Sequence, residues 1–223
     1  KRYKYNGNFT IRYENLIDGE RGLPDYSKST IYNVRWTHSK DSKASPYSTL
    51  SASVNFGSSD YFRQSVNQLN TPNFLNNNLS SSVSYSKTFP GDAGVRLSLT
   101  TSMSQNTQSK EVNLTLPTLT LNTARFYPFA KKGGTKKGII QNINLQYSSR
   151  GENRTTLADS LLFKKGMFDN AKTGIKHSIP ITTNFKVLKY FSISAGGNYE
   201  ESWVLKTKKY NDYNEENGVV EEE

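Results

Sequence analysis

The residues with catalytic potential in this chain are its two histidines, each followed directly by a serine: His38–Ser39 and His177–Ser178. A histidine activates a serine nucleophile when the two side chains lie within hydrogen-bond reach and a third group orients the histidine. Adjacent side chains on a β-strand point to opposite faces of the sheet, and the sequence offers no clear third partner. We therefore predict no catalytic residues and no enzymatic activity.

Metal and cofactor chemistry has little support in the sequence. The 223 residues contain no cysteine, which excludes thiolate metal ligands, disulfides and a cysteine nucleophile. Two histidines without a nearby acidic cluster are a weak metal site. Glycine-rich phosphate-binding motifs and the G-x-S-x-G nucleophile motif are missing as well. We predict no metal site and no bound cofactor.

The stretch that best indicates the architecture is residues 111–129, EVNLTLPTLTLNTARFYPF. Its apolar and polar residues alternate up to Pro117, and the alternation then resumes one residue out of phase. The stretch ends in a cluster of aromatic residues. Apolar residues toward lipid, polar residues toward the lumen and aromatic residues at the interface are typical of a membrane-spanning β-strand. Because proline cannot donate to the hydrogen-bond ladder, we predict a β-bulge near Pro117.

Similar alternation recurs along the whole chain, and no run of about 18 apolar residues is present that would form a transmembrane helix. We therefore predict an all-β protein, an antiparallel transmembrane β-barrel segment that supplies roughly nine strands of a larger barrel. Residues 1–223 are expected to be part of one barrel domain. The predicted strands lie at about residues 3–16, 30–38, 47–56, 79–89, 95–104, 111–129, 139–149, 174–188 and 191–206.

The amino-terminal sequence KRYKYNGNFT lacks the apolar region of a signal peptide, so we expect an internal fragment of a longer protein. The links at residues 57–78 and 151–173 are long, as the outer loops of barrels are. The link at residues 189–190 is short, as a periplasmic turn is. On this register the lysine-rich residues 131–137, KKGGTKK, form a solvated periplasmic turn.

The formal net charge of +10 is unevenly distributed over the two faces of the predicted strands. A charge on the lipid face at mid-membrane costs roughly 2–4 kcal/mol, so basic residues are expected to face the lumen. Lys87 and Arg125 break this rule near strand ends, where long side chains reach water. Glu201 breaks it without an evident reason. The predicted lumen-facing basic residues are Arg12, Arg35, Arg96, Lys176 and Lys186.

Five ordered segments carry a likeness to one known family. Together they resemble the barrel region of the LptD (OstA/Imp) family of lipopolysaccharide-assembly outer-membrane proteins. This resemblance implies a large β-barrel that is plugged by an LptE-type lipoprotein and joined to a periplasmic jelly-roll domain, which is not present in this sequence. The segments are residues 32–63, 79–89, 105–107, 114–129 and 177–194.

The resemblance also implies a function and a location. The family receives lipopolysaccharide from periplasmic bridge proteins and releases it into the outer leaflet through a seam between the first and last strands. The expected partners are therefore lipopolysaccharide, the lipoprotein plug, the bridge proteins and the lipids of the bacterial outer membrane. Nucleic acid is not expected, because most basic residues lie on the face opposite the aromatic residues, whereas nucleic-acid platforms mix the two.

Several alternatives stay open from the sequence. The lumen-facing basic residues either contact the sugars and phosphates of lipopolysaccharide or pair with carboxylates and plug residues. Pro117 and Pro180 each remove one ladder hydrogen bond, which would either weaken a seam or form a bulge in a stable wall. A porin-like passive channel is one alternative function. An outer-membrane adhesin or secretion scaffold, binding through its long loops, is another.

Overall fold

The protein is described by a computed structural model over residues 4–65, 77–131, 133–134, 136, 138–188, 190–206, 210–214 and 219–222. Residues 132, 135 and 137 of the predicted KKGGTKK turn lie outside this range. The strands are β1 Tyr5–Asp18, β2 Ser27–Lys40, β3 Ser48–Gly57, β4 Asn78–Phe89, β5 Val95–Asn106, β6 Glu111–Asn122, β7 Asn144–Leu145, β8 Ser148–Ala158, β9 Lys172–Val187, β10 Phe191–Val204, β11 Tyr210–Asn214 and β12 Val219–Glu222.

Ten of these strands form one antiparallel sheet in which neighbours along the chain are mostly neighbours in space. The order is β1-β2-β3-β4-β5-β6-β8-β9-β10, with β7 also paired to β9, and β11 and β12 form a separate two-stranded sheet. The short helices are α1 Tyr61–Gln64 and α2 Gly138–Gln141. In the described part of the chain no helix has the length and apolar character needed to cross a membrane. The prediction of an all-β antiparallel protein is confirmed.

Strands β7 and β8 share one register against β9 and are in effect a single interrupted strand. Leu145 pairs with Ile181 and Ser148 with Ser178, which puts the interruption opposite Pro180. The Gln146 N–H donates to the Pro180 carbonyl at 3.3 Å, but proline has no N–H with which to form a second bond. The sheet therefore has nine positions, as the sequence predicted.

The bounds of the seventh predicted strand, residues 139–149, are wrong at both ends. The first of these residues lie in α2, and the strand continues through β8 to Ala158. The sequence of β8, SSRGENRTTLA, has no apolar alternation, because the face that carries apolar residues in other strands here holds Gly151, Asn153 and Thr155. The region predicted as a long link from residue 151 is therefore partly strand.

The predicted bulge at Pro117 is present. Against β8 the register shifts between Thr115 and Thr118, and against β5 it shifts between Thr100 and Ser102. The shift keeps Leu114 and Leu119 on one face although they are five positions apart, which in a regular strand would put them on opposite faces. The bulge thus explains why the apolar phase of β6 changes in the middle of the strand.

The register divides the sheet into two faces, which we call the polar face and the apolar face. Directly paired residues share a face, and Ser53, Ser82 and Ser102 form one such row on the polar face. The apolar face carries large side chains that are exposed, among them Phe9 and Tyr13, each more than 60% exposed. An apolar surface of this kind marks a contact with another apolar phase.

Buried apolar cores exist among the described residues only at one end of the sheet, here called the loop end. It is the end that carries the links at residues 58–77 and 159–171. One core lies around α1, and the other lies where the 159–171 loop covers the apolar face of β5, β6 and β8. The first core contains Ile31, Tyr61, Phe62 and Leu79, and the second contains Met103, Val112, Leu114 and Leu157.

Connection lengths agree only in part with the predicted alternation. The loop end carries the two long links named above, but also the short turn at residues 107–110. The opposite end, here called the turn end, carries the short turns 90–94 and 188–190, but also the long link 123–147. That link contains α2 and β7, which pack on β9 and extend the sheet.

Candidate functional site

The five predicted basic residues all lie on the polar face, but they do not form one site. Arg12 and Arg35 lie near the middle of β1 and β2, and Arg35 pairs with Thr10, two residues from Arg12 on the same face. Lys176 lies on β9 beside β8 and β10. Arg96 and Lys186 lie near the turn end, where Arg96 pairs with Thr88 and Asn122.

Arg12 and Arg35 each contact a part of the chain itself, residues 58–65, which we call the inward segment, although both arginines remain exposed. The Arg12 guanidinium Nη1 donates to the Tyr61 hydroxyl at 3.3 Å. The Arg35 guanidinium carbon lies 6.0 Å from the centre of the Phe62 ring, within the range of a cation–π contact. Tyr61 is fully buried and Phe62 is 3% exposed. The two arginines therefore hold a loop of their own chain.

Further hydrogen bonds fix the inward segment on the polar face. The Ser65 hydroxyl donates to Glu14 Oε1 at 2.6 Å, and just before the segment the Gln105 side-chain Nε2 donates to the carbonyl of Gly57, the last residue of β3, at 2.8 Å. The Ser59 hydroxyl donates to the Asp159 carboxylate, which joins this segment to the 159–171 loop. Two loops that contact each other therefore pack at the loop end.

Lys176 belongs to a larger charged surface across three strands, which we call the β8–β10 patch. Along β8 the arginines of the patch alternate with its glutamate. Glu152 accepts a hydrogen bond from each of Arg150 and Arg154, at 3.0 Å. Lys176 Nζ lies 2.9 Å from Glu200 Oε2. Four basic and two acidic side chains give the patch a net formal charge of +2. The members are Arg150, Glu152, Arg154, Lys172, Lys176 and Glu200.

The β8–β10 patch is exposed to solvent and carries excess positive charge, as a binding site for an anionic ligand requires. The side chains of Arg150, Arg154 and Lys176 are 64%, 62% and 58% exposed. Ion pairs this exposed contribute at most about 1 kcal/mol, so they compete weakly with an incoming anion. All members of the patch except Glu200 line a groove of about 400 Å³, together with apolar side chains such as Trp203. Guanidinium groups bind phosphate and carboxylate through paired hydrogen bonds, which suits such a groove to an anionic ligand.

Arg150, Glu152 and Arg154 are not among the residues predicted from the sequence, because the predicted strand ends at residue 149 and residues 151–173 are predicted as a link. The signal was nevertheless present as R-x-E-x-R, in which charges alternate with uncharged residues at the period of a strand. An alternation of charges predicts one polar face even when the other face lacks apolar residues.

Lys186 faces a second groove at the turn end, of about 860 Å³, between the ends of β9 and β10 and the start of α2. Lys136 lines the same groove, and its Nζ lies over the Tyr127 ring. The groove also presents the polar side chains of Asn142, Asn184, Ser192 and Ser194.

The two prolines singled out from the sequence both lie in interior strands. Pro117 is in β6, between β5 and β8, and Pro180 is in β9, between the interrupted β7–β8 strand and β10. The strands whose outer edges pair with no described strand are β1 and β10. Each proline coincides with an irregularity of the sheet, a bulge at Pro117 and an interruption at Pro180.

The three charged residues that broke the predicted rule have different surroundings. Lys87 is near the end of β4, with its Nζ 4.8 Å from the centre of the Phe89 ring. Arg125 follows the end of β6 at Asn122. Glu201 lies within β10 on the apolar face, paired with His177.

Comparison with known proteins agrees with these features. The sequence model of the LptD protein family matches residues 1–223, which is the whole chain. No curated protein and no solved structure matches it. LptD proteins are outer-membrane proteins of lipopolysaccharide transport and assembly. The chain belongs to the LptD family.

Proposed function

We propose that this chain forms part of the wall of an outer-membrane β-barrel that inserts lipopolysaccharide into the outer leaflet. The observation that carries the proposal is the match of the LptD family over all 223 residues. The antiparallel sheet with one apolar and one polar face supports it, because a barrel wall needs lipid on one side and water on the other. Residues 1–223 would then be part of a single barrel domain in a Gram-negative bacterium.

The apolar face supports the membrane part of this proposal. On β1 its large side chains are open, and Phe9, Ile11 and Tyr13 are each about 60% exposed. Leaving such a surface in water is unfavourable by about 25 cal/mol per Å² of apolar area. Lipid chains would cover it without any further protein.

The charges on the polar face support the proposed role in lipopolysaccharide transport. Lipopolysaccharide carries anionic phosphate and sugar groups, and the β8–β10 patch offers exposed guanidinium and ammonium groups with a net positive charge. Arg12 and Arg35 are engaged by the inward segment instead. We therefore assign contact with substrate to the β8–β10 patch, and to Arg96 and Lys186 at the turn end, rather than to all five predicted residues equally.

The open edges of the sheet support a wall with further strands. Neither β1 nor β10 pairs on its outer edge with any strand in the described part of the chain. Unpaired backbone groups are too costly in a bilayer, so a spanning sheet must close into a barrel. From the family we further propose an LptE-type lipoprotein inside the barrel and periplasmic bridge proteins that deliver the lipopolysaccharide. The proposed role is transport rather than catalysis.

The proposal is tested by depleting the intact protein and following newly made lipopolysaccharide to the cell surface. We expect surface delivery to stop while lipopolysaccharide accumulates further inside the cell. Resupply of the wild-type protein should restore delivery. Normal delivery together with altered uptake of small solutes would contradict the proposal and favour a porin-like channel.

A further inference from the structure

The 159–171 loop does not close completely over the apolar face, and this inference concerns what fills the pocket that remains beneath it. The pocket has a volume of about 180 Å³ and lies over strands β3 to β6. Its inner surface is almost wholly apolar. Its lining includes Val54, Val83 and Leu116 of the strands and Leu162, Phe163 and Met167 of the loop.

Ser81, on the apolar face of β4, lines the pocket without presenting a free polar group to it. Its hydroxyl donates to the Asn55 carbonyl at 3.1 Å and accepts from the Asn55 N–H at 3.0 Å. The backbone of β3 therefore uses this hydroxyl both as a donor and as an acceptor. An apolar cavity of about 150 Å³ stays dry and binds a molecule of the size of benzene. A pocket of this size and lining is therefore suited to a segment of hydrocarbon chain.

The pocket is open toward the exposed part of the apolar face. Val83 and Leu116 in its lining are half-buried rather than buried. Beyond them, the face continues into a row in which Leu99 pairs with both Tyr85 and Leu119. These three side chains are 36% to 43% exposed. A hydrocarbon chain that lies on this row can extend into the pocket without leaving apolar surface.

The loop places apolar surface and positive charge side by side at the pocket. Phe163 has a φ of 63°, which is unusual for a bulky residue, and its ring is 71% exposed and lies 5.8 Å from the Phe56 ring, centre to centre. Two exposed lysines, Lys164 and Lys165, follow it directly in the chain. Neither lysine forms an ion pair with a described residue.

This combination fits a lipid that carries both acyl chains and uncompensated phosphate. Ammonium groups bind phosphate through charge-assisted hydrogen bonds, whereas the phosphate of a zwitterionic phospholipid already has its own ammonium group nearby. The loop belongs to the end whose long links the sequence predicts as outer loops. Resting on the proposed function, which delivers lipopolysaccharide to the outer leaflet, we propose that the pocket binds an acyl chain of lipopolysaccharide in that leaflet, with Lys164 and Lys165 contacting its phosphates.

The test uses the full-length barrel in vesicles that contain lipopolysaccharide and phosphatidylethanolamine with equal numbers of acyl chains. Photoreactive benzoylphenylalanine replaces Phe163 in one protein and Leu119 in another, because Leu119 lies on the same face outside the pocket. We expect the ratio of lipopolysaccharide to phosphatidylethanolamine adducts to be about fivefold higher at position 163 than at position 119, as one exposed ion pair of ~1 kcal/mol would give.

A variant that fills the pocket tests the acyl-chain part of the proposal. Val83→Phe should lower the yield of lipopolysaccharide adducts at position 163, because the added ring occupies the space of the chain. Val95→Phe adds the same ring to the apolar face near the turn end and should leave the yield unchanged. Circular dichroism checks that both variants fold.

A second pair of variants tests the phosphate part. The double change Lys164→Gln and Lys165→Gln should lower the adduct ratio at position 163 to the value at position 119. Lys28→Gln, at the loop end of β2, should keep the higher ratio.

The outcomes separate this inference from the proposed function. Equal ratios at the two positions, in the protein with both lysines, would overturn the inference, because lipid without a specific site would explain them. Adducts at position 119 with none at position 163 would overturn it as well, since a protein segment or a second copy would then fill the pocket. No lipid adduct at either position would overturn both the inference and the membrane-facing surface of the proposed function.

Discussion

The Arg12 guanidinium and the Tyr61 hydroxyl are joined by a hydrogen bond of 3.3 Å although 49 residues separate them in the chain. This contact places part of a long loop on the polar face of β1 and β2. Arg12, which the sequence predicts only to face the lumen, therefore holds a loop of its own chain. In the proposed barrel, the inward segment would therefore narrow the lumen on the side of the loop end.

Removing the anchor of the inward segment should therefore open that space. We expect the double change Tyr61→Ala and Phe62→Ala to raise the single-channel conductance of the reconstituted barrel. The loss of a buried aromatic side chain should also lower the free energy of unfolding by about 3–5 kcal/mol. Leu23→Ala, in the exposed 19–26 loop, serves as the control and should change neither value. An unchanged conductance in a folded double variant would contradict the role of this segment.

The core beneath the 159–171 loop allows a comparison within one strand. Leu114 is 6% exposed there, whereas Leu119 on the same face of β6 is 43% exposed. We expect Leu114→Ala to lower the free energy of unfolding in detergent by about 2–4 kcal/mol, because it leaves a cavity. Leu119→Ala should cost less than about 1 kcal/mol. Urea titration measures both, and equal losses would mean that the loop does not cover Leu114.

The β8–β10 patch should matter more for substrate than the arginines held by the inward segment. Photo-cross-linking to lipopolysaccharide in cells measures this. Changing Arg150, Arg154 and Lys176 to glutamine should lower the cross-linking yield about tenfold, equivalent to ~1.4 kcal/mol of binding free energy. The double change of Arg12 and Arg35 to glutamine should lower it less than about twofold, because charges already engaged contribute little to a new contact. The opposite ranking would refute this assignment.

Accessibility along β6 should reveal both the bulge and the loop cover. Single cysteines carrying spin labels at Leu119 and Leu121 should be reached by oxygen dissolved in lipid, and labels at Thr118 and Thr120 by a water-soluble relaxation agent. A label at Leu114 should be shielded from oxygen, because Leu162 and Met167 of the 159–171 loop pack against its core. A continuous alternation across Pro117, without a change of phase, would contradict the register described for this strand.

Much of the sheet could be predicted, because the order of residues along each strand determines which side chains lie on which face. In β6 the alternation of leucine with threonine and asparagine identifies the strand and its faces, and Pro117 marks the phase change. β8 could not be predicted in this way, because its positions on the apolar face hold Gly151, Asn153 and Thr155. Only the alternation of charges on the polar face remained as a signal. Apolar periodicity does not identify a strand in which one face is charged and the other carries small or uncharged polar residues.

The arrangement of the site depends on contacts between distant residues and was not predictable from periodicity. The burial of Tyr61 and Phe62 requires β1, β2 and β4 to be in place, and nothing in the sequence of the inward segment specifies the direction in which it folds. Glu201 was noticed in the sequence as an exception, but its neighbour His177 is known only from the register of β9 and β10.

The joined loops at the loop end have a mechanical consequence for the wall. At that end the Ser59–Asp159 contact and the two apolar cores connect strands that are not neighbours, which raises the bending stiffness there. At the turn end two of the links are short turns, at residues 90–94 and 188–190, and the described residues form no buried apolar core there. Deformation of the wall should therefore be largest at the turn end, and the loop end should move least when the sheet bends.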